Sequence, residues 1–189
     1  MRKFLFFKGT GDLNGPVSTE IKKDDCITIR DRTYRLSLVI DDDKSIRTTL
    51  EAILWGEGYY VDTAENGKQA IEKTNSSYYN VALIDIRLPD IEGTELLTRM
   101  KDTTPKMRKI IITGYPTLQN AIEAVNKEAD AYILKPFDVK KALGTIRQQL
   151  RKQEAEKRFS QAKVAEFIET RVKELEPQKT AASNESRLA

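Results

Sequence analysis

Between Leu36 and Leu150 the hydrophobic pattern switches repeatedly between short continuous apolar runs and stripes at three- and four-residue spacing. The runs cover Leu36 to Ile40, Tyr59 to Val61, Val81 to Asp85, Lys109 to Thr113 and Ala131 to Leu134. All are too short for stable helices and read as strands. The stripes between them predict helices over 45–55 (Ile46, Leu50, Ile53, Leu54), 66–74 (Ala70, Ile71), 94–100 (Leu96, Leu97, Met100) and 117–128, the last burying Ala121, Ile122 and Val125. Gly56 and Gly58 stop the first helix. Val139, Leu143, Ile146 and Leu150 form a fifth stripe that should pack on the sheet. Five strands alternating with helices through short links predict an α/β fold: a five-stranded parallel sheet, doubly wound, with helices on both faces.

Both flanks depart from this rhythm. Residues 1–35 read as a loosely structured extension, because Gly9 to Pro16 is turn chemistry. Gly9, Gly11 and Gly15 lack the spacing, lysine and following helix of a phosphate loop. Ile27 and Ile29 alternate with polar neighbours, and Asp31 with Arg32 can turn the chain into Thr33 to Leu36, so a short hairpin is expected there. From about Asp138 no helix breaker appears before Pro177, which extends the fifth helix far beyond the length a sheet can cover. The domain reading is therefore 1–35 extension, 36–150 main domain, 151–176 helical extension and 177–189 disordered tail. In the extension, Val164, Ile168, Val172 and Leu175 resume an apolar seam, but too few heptads are filled for a coiled coil.

Composition narrows the chemistry. The net charge of +3 divides unevenly: residues 1–36 carry 8 basic and 5 acidic groups, 37–137 carry 12 and 16, and 138–189 carry 12 and 8. The middle is acidic and the flanks basic, yet the tail mixes both signs and reads as a solvated surface. No apolar window is long enough to cross a bilayer, and Met1 to Lys8 is too short in apolar residues for a signal peptide. The single cysteine, Cys26, excludes an internal disulfide and fits a cytoplasmic protein. The absence of histidine excludes histidine metal ligands and serine–histidine triads, leaving carboxylate and hydroxyl chemistry.

That chemistry collects at the strand ends. Leu38 to Ile40 runs into Asp41, Asp42 and Asp43; Val81 to Ile84 runs into Asp85; Ile110 to Ile112 runs into Thr113; Ala131 to Leu134 runs into Lys135. In an open parallel sheet, reactive groups gather just beyond the carboxyl ends of the strands. A carboxylate that attacks an anionic phosphoryl donor needs its charge neutralised, and magnesium prefers oxygen ligands. Asp41 and Asp42 supply them. Crowded beside Asp85, they should bind a cation before any reaction. Lys135 can pair with a phosphoryl oxygen or, beforehand, with Asp85, and Thr113 can donate a hydrogen bond. The product is an acyl phosphate on the protein itself, which suits a switch more than turnover. The plain alternative makes Asp41 to Asp43 a helix cap and Lys135 a surface charge.

Leu38 to Asp43 with Arg47, Leu83 to Asp90 with Gly93, Ile112 to Gly114, and Lys135 to Phe137 together resemble the receiver domain of two-component response regulators, over residues 36 to about 150. The resemblance implies a flavodoxin-like fold with Asp85 as phosphoacceptor from a sensor histidine kinase or phosphotransfer protein. It implies Mg2+ held by Asp41, Asp42, Asp85 and the backbone carbonyl of Arg87, with Thr113 and Lys135 on the phosphoryl group. Tyr132 matches the switch aromatic, which turns inward as Thr113 moves. Lys135–Pro136 matches a usually cis peptide, and Gly114 a position kept small for close backbone approach. Arg87 and Tyr115 match the positions flanking the path of hydrolytic water, where their size should slow loss of the phosphoryl group. Partners are then the kinase, an unknown output protein, and a second copy through the face of fourth helix, fifth strand and fifth helix or through the C-terminal helix. No membrane is implied, and nucleic acid binding through the basic tail is the competing output. An aspartyl-phosphate phosphatase would want an acid two residues after the nucleophile, where this chain has Arg87.

Overall fold

The computed structural model describes residues 20–21, 26–29 and 32–175. The expected turn segment at Gly9 to Pro16 and the tail at 177–189 lie outside the described residues. In chain order the elements are β1 (Glu20–Ile21), β2 (Cys26–Ile29), β3 (Arg32–Ile40), α1 (Lys44–Gly56), β4 (Tyr59–Ala64), α2 (Gly67–Ser76), β5 (Val81–Ile84), α3 (Gly93–Arg99), β6 (Arg108–Thr113), α4 (Leu118–Asn126), β7 (Ala131–Leu134) and α5 (Val139–Leu175).

Five of the strands form the expected parallel set in the spatial order β4-β3-β5-β6-β7. The chain thus leaves β3 in one direction to reach β4 and in the other to reach β5. That reversal opens a crevice beyond the carboxyl ends of β3 and β5. The expected hairpin is present as β2 paired antiparallel with β3, from Cys26 opposite Arg35 to Ile29 opposite Arg32, and β1 adds to β2.

The period-two alternation of the buried strands sorts the core into two layers. Leu38, Ile40, Ala82, Ile84 and Ile111 meet Ala70 of α2, Leu96 and Leu97 of α3 and Ala124 of α4. Val39, Val81, Leu83, Ile110 and Ile112 meet Leu50 and Leu54 of α1 and Leu143, Ile146 and Leu150 of α5. Helix α1 is capped by the Asp43 carboxylate, which accepts the Ser45 N–H at 2.7 Å. It ends where Gly58 takes a left-handed φ of 82°, a conformation that favours glycine.

Two packing expectations are corrected. Ile122 and Val125 of α4 are not buried; they are 46% and 74% exposed, whereas Ala124 is buried. At about 100° per residue, Val125 and Ile122 lie about 100° and 200° around the helix from Ala124 and so face away from the layer it joins. Val139 is 40% exposed and leaves the sheet contact of α5 to begin at Ala142 and Leu143. The chain divides into two compact units after Leu150. In the second, Phe159, Val164, Phe167, Ile168 and Val172 of α5 are exposed. No helix among the described residues is long and apolar enough to cross a membrane.

Candidate phosphoacceptor site

The backbone places two acids side by side. The Asp41 N–H donates to the Ala64 carbonyl at 3.1 Å and the Asp85 N–H to the Ile40 carbonyl at 2.8 Å, so the sheet ladder continues one residue past β3 and β5. Asp41 and Asp85 are 3% and 6% exposed. Two carboxylates this buried and this close repel each other unless a cation joins them. Lys135 does so: its Nζ lies 2.6 Å from Asp41 Oδ2 and 3.0 Å from Asp85 Oδ1. Lys135 is aimed by the end of β7, where its N–H donates to the Thr113 carbonyl at 2.8 Å, and the following bond to Pro136 is cis, as the resemblance implied.

The remaining carboxylate oxygens are held by main chain. Asp85 Oδ2 accepts the Arg87 N–H at 3.0 Å, and Asp41 Oδ1 accepts the Asp43 N–H at 3.0 Å. Burial pushes the Asp85 carboxyl above the usual carboxylate range, against the opposing pull of Lys135. Burial alone would lower Lys135, but its hydrogen bonds to Asp41 and Asp85 hold it above the ordinary lysine value. Thr113 is fully buried, and its Oγ1 accepts the Tyr115 N–H at 3.1 Å, which leaves the hydroxyl hydrogen to be donated.

Asp42 does not join them. It is exposed, and its main-chain carbonyl accepts from Arg47 Nη1 at 2.9 Å, the same nitrogen that reaches the Asp41 carbonyl at 2.7 Å. Among the described residues no three carboxylates stand together as a metal-holding group. This corrects the expected crowding of Asp41, Asp42 and Asp85. Asp42 lies in the bend just after β3, and Lys135 already supplies the positive charge that Asp41 and Asp85 need. The donors still suit a hard divalent cation, since they are all oxygen and Asp42 follows Asp41 directly.

Three further positions shape the site. The Arg87 guanidinium stacks on the Tyr115 ring, 3.7 Å from its centroid, with both residues at the surface. Tyr132 is half-buried against the core layer that holds Ile84 and Ile111, and its hydroxyl is buried with no hydrogen-bond partner. Burial, and then the Asp85 charge, raise the Tyr132 pKa. Gly93 lies so close to the chain just beyond β5 that an added Cβ would fall 2.0 Å from the Asp85 carbonyl oxygen. Gly114, expected to be the tight position, has room: the nearest atom to an added Cβ is Lys135 Cβ at 3.8 Å.

The sequence reading missed Asp90. Its Oδ1 accepts the Gly67 N–H and its Oδ2 the Lys68 N–H, each at 2.8 Å, so it ties the loop after β5 to the first turn of α2. Nothing in a lone acid after Pro89 distinguishes this from an ordinary turn.

The family model described as the response regulator receiver domain matches residues 37–147. The chain is 38% identical over 129 residues to the transcriptional regulatory protein ZraR of Klebsiella oxytoca, covering 68% of this chain and 28% of that protein. It is 39% identical over 108 residues to the DNA-binding transcriptional regulator NtrC of Escherichia coli (strain K12), covering 57% of this chain and 23% of that one. The match therefore spans only about a quarter of the length of these curated relatives. Among solved structures, a CheY-like receiver domain protein from Methanospirillum hungatei JF-1 superposes with a TM-score of 0.62 at 40% identity, covering 65% of this chain and 98% of that one. The response regulator TrrA of Thermotoga maritima, in complex with Mg(2+)-BeF, superposes with a TM-score of 0.55 at 31% identity, covering 61% of this chain and 98% of that one.

Proposed function

The chain belongs to the response regulator receiver domain family, and from that premise we propose that Asp85 accepts a phosphoryl group from a phosphohistidine on a sensor kinase or phosphotransfer protein. The observation that carries this reading is the Lys135 ammonium bridging the buried Asp41 and Asp85 carboxylates. An Asp85 oxygen attacks phosphorus, the bond from phosphorus to the donor nitrogen breaks, and the electron pair leaves with the imidazole. Bound magnesium supplies the Lewis acid that neutralises the phosphoryl oxygens. Asp41, Asp42, Asp85 and the Arg87 carbonyl are the groups to hold it. Lys135 gives up its salt bridge to Asp85 and takes a phosphoryl oxygen instead, while the Thr113 hydroxyl donates to another.

The response follows from packing. As Thr113 moves toward the phosphoryl group, the space beside Tyr132 changes, and the partnerless Tyr132 hydroxyl gains reason to find an acceptor. The readout surface is the face of α4 and β7, where Leu118, Ile122, Val125 and Leu134 are exposed and offer an apolar patch for a partner protein or a second copy. The nucleic-acid alternative gains nothing from the α5 tail, where Arg158 pairs with Glu154 and where Glu166 and Glu169 are interspersed with Arg171 and Lys173.

Lys135→Ala tests the division of roles. We expect this variant to bind magnesium and take label from acetyl phosphate, but to lose the amide NMR shifts in α4 and β7 that accompany phosphorylation of the wild type. Thr113→Ala should do the same more mildly. Loss of magnesium affinity in Lys135→Ala as complete as in Asp42→Ala would contradict the assignment.

The Arg87–Tyr115 stack bears on lifetime. A cation–π contact of ~1 kcal/mol, closed over the path of attacking water, corresponds to about a fivefold rate effect. The Arg87→Ala, Tyr115→Ala double variant should therefore release inorganic phosphate about five times faster than wild type, measured after label is removed. An equal or slower rate would remove the shielding role.

A further inference from the structure

The loop from Asp85 to Gly93 is closed at its base. The Gly93 N–H donates to the Ile86 carbonyl at 2.6 Å, and Arg87 and Glu92 form an isolated antiparallel bridge. Its tip is fastened to a different element. The two Asp90 oxygens take separate N–H groups from the first turn of α2, and an added Cβ on Gly67 would fall 2.1 Å from Ile91 Cγ2, so loop and helix are in close contact there. Desolvation works to raise the Asp90 carboxyl, but the main-chain donors together hold it below the usual carboxylate range.

Two residues share the cap of α2: Asp90 accepts the Gly67 and Lys68 N–H groups from across the fold, and the N-cap residue accepts the next. Asn66 is the N-cap of α2, and its side chain accepts the Gln69 N–H at 2.9 Å. The Asp90 contact therefore serves both the helix and the loop, and the Asn66 cap offers a way to perturb the helix alone. What the loop carries is Arg87, whose N–H holds Asp85 Oδ2 and whose side chain lies over Tyr115.

We propose that Asp90 is a positioning residue for the phosphoacceptor site: by pinning the loop tip to α2, it fixes the Arg87 main chain where its N–H orients Asp85 and its carbonyl would be held ready for a bound cation. This rests on the magnesium reading above. Loss of an outer partner that orients a metal-holding group lowers affinity about tenfold or more.

The test is the magnesium dissociation constant of the full chain, measured by titration calorimetry without any phosphodonor, for wild type, Asp90→Ala, Asp90→Asn, Asn66→Ala and Asp42→Ala. Asp90→Ala should bind magnesium about tenfold more weakly, and Asp90→Asn, which keeps one acceptor oxygen, should fall between it and wild type. Asn66→Ala removes a cap of the same helix without touching the loop; its Tm should fall by a few degrees with magnesium affinity unchanged. Equal affinities in wild type and Asp90→Ala, or equal losses in Asp90→Ala and Asn66→Ala, would overturn the positioning role while leaving the metal reading intact. A wild type that binds no magnesium, or an Asp42→Ala variant that binds it normally, would instead overturn the metal reading and the proposal with it.

Discussion

Gly93→Ala should unfold readily and lose its acceptor activity together. The added methyl would lie 2.0 Å from the Asp85 carbonyl oxygen, 2.9 Å from the Asp85 carbonyl carbon and 2.9 Å from Ile86 Cα. All three are backbone atoms at the end of a fully buried strand, so no flexible side chain can give way. Overpacking of this kind costs about 3 kcal/mol, or roughly 6–12 °C in Tm for a chain of this size. The same shift would displace Asp85 from Lys135, so labelling should fall with stability. Gly114→Ala is the matched control: with its nearest contact at 3.8 Å it should melt within about 2 °C of wild type. Thermal unfolding of both variants checks the pair. Equal Tm values for Gly93→Ala and wild type would mean that the loop closing onto Asp85 is softer than its packing indicates.

The parallel sheet was legible because buried strands leave continuous apolar runs, and the alternation inside Leu38 to Ile40 and Val81 to Ile84 matches the two core layers. The site was legible for the same reason: Asp41, Asp85, Thr113 and Lys135 each directly follow or end such a run. Other features were not. Ile122 and Val125 have the spacing of a core stripe, but periodicity records that a helix has an apolar side without saying whether the sheet or a partner covers it. Asp42 has the same chemistry as Asp41, and only the geometry at the strand end separates the buried acid from the exposed one. The weight placed on Gly114 belonged to Gly93, because closeness of backbones 8 residues apart in the chain depends on how a loop folds back, which composition does not record.

Family membership and site geometry meet in one residue. Asp85 is the acid that burial raises and Lys135 restrains, with one oxygen committed to the ammonium and the other to the Arg87 N–H. Asp85→Asn keeps the shape but only one of the two acceptor oxygens, and it removes the anionic group proposed as nucleophile, so its effect should be complete, not partial.

Intact-protein mass spectrometry after incubation with acetyl phosphate tests this most directly, followed by digestion to localise the modification. The account predicts a gain of one phosphoryl group in wild type with magnesium, located on the peptide that contains Asp85, no gain when a chelator is present, and none in Asp85→Asn. An equal gain in Asp85→Asn, or labelling of wild type undiminished by chelator, would contradict it.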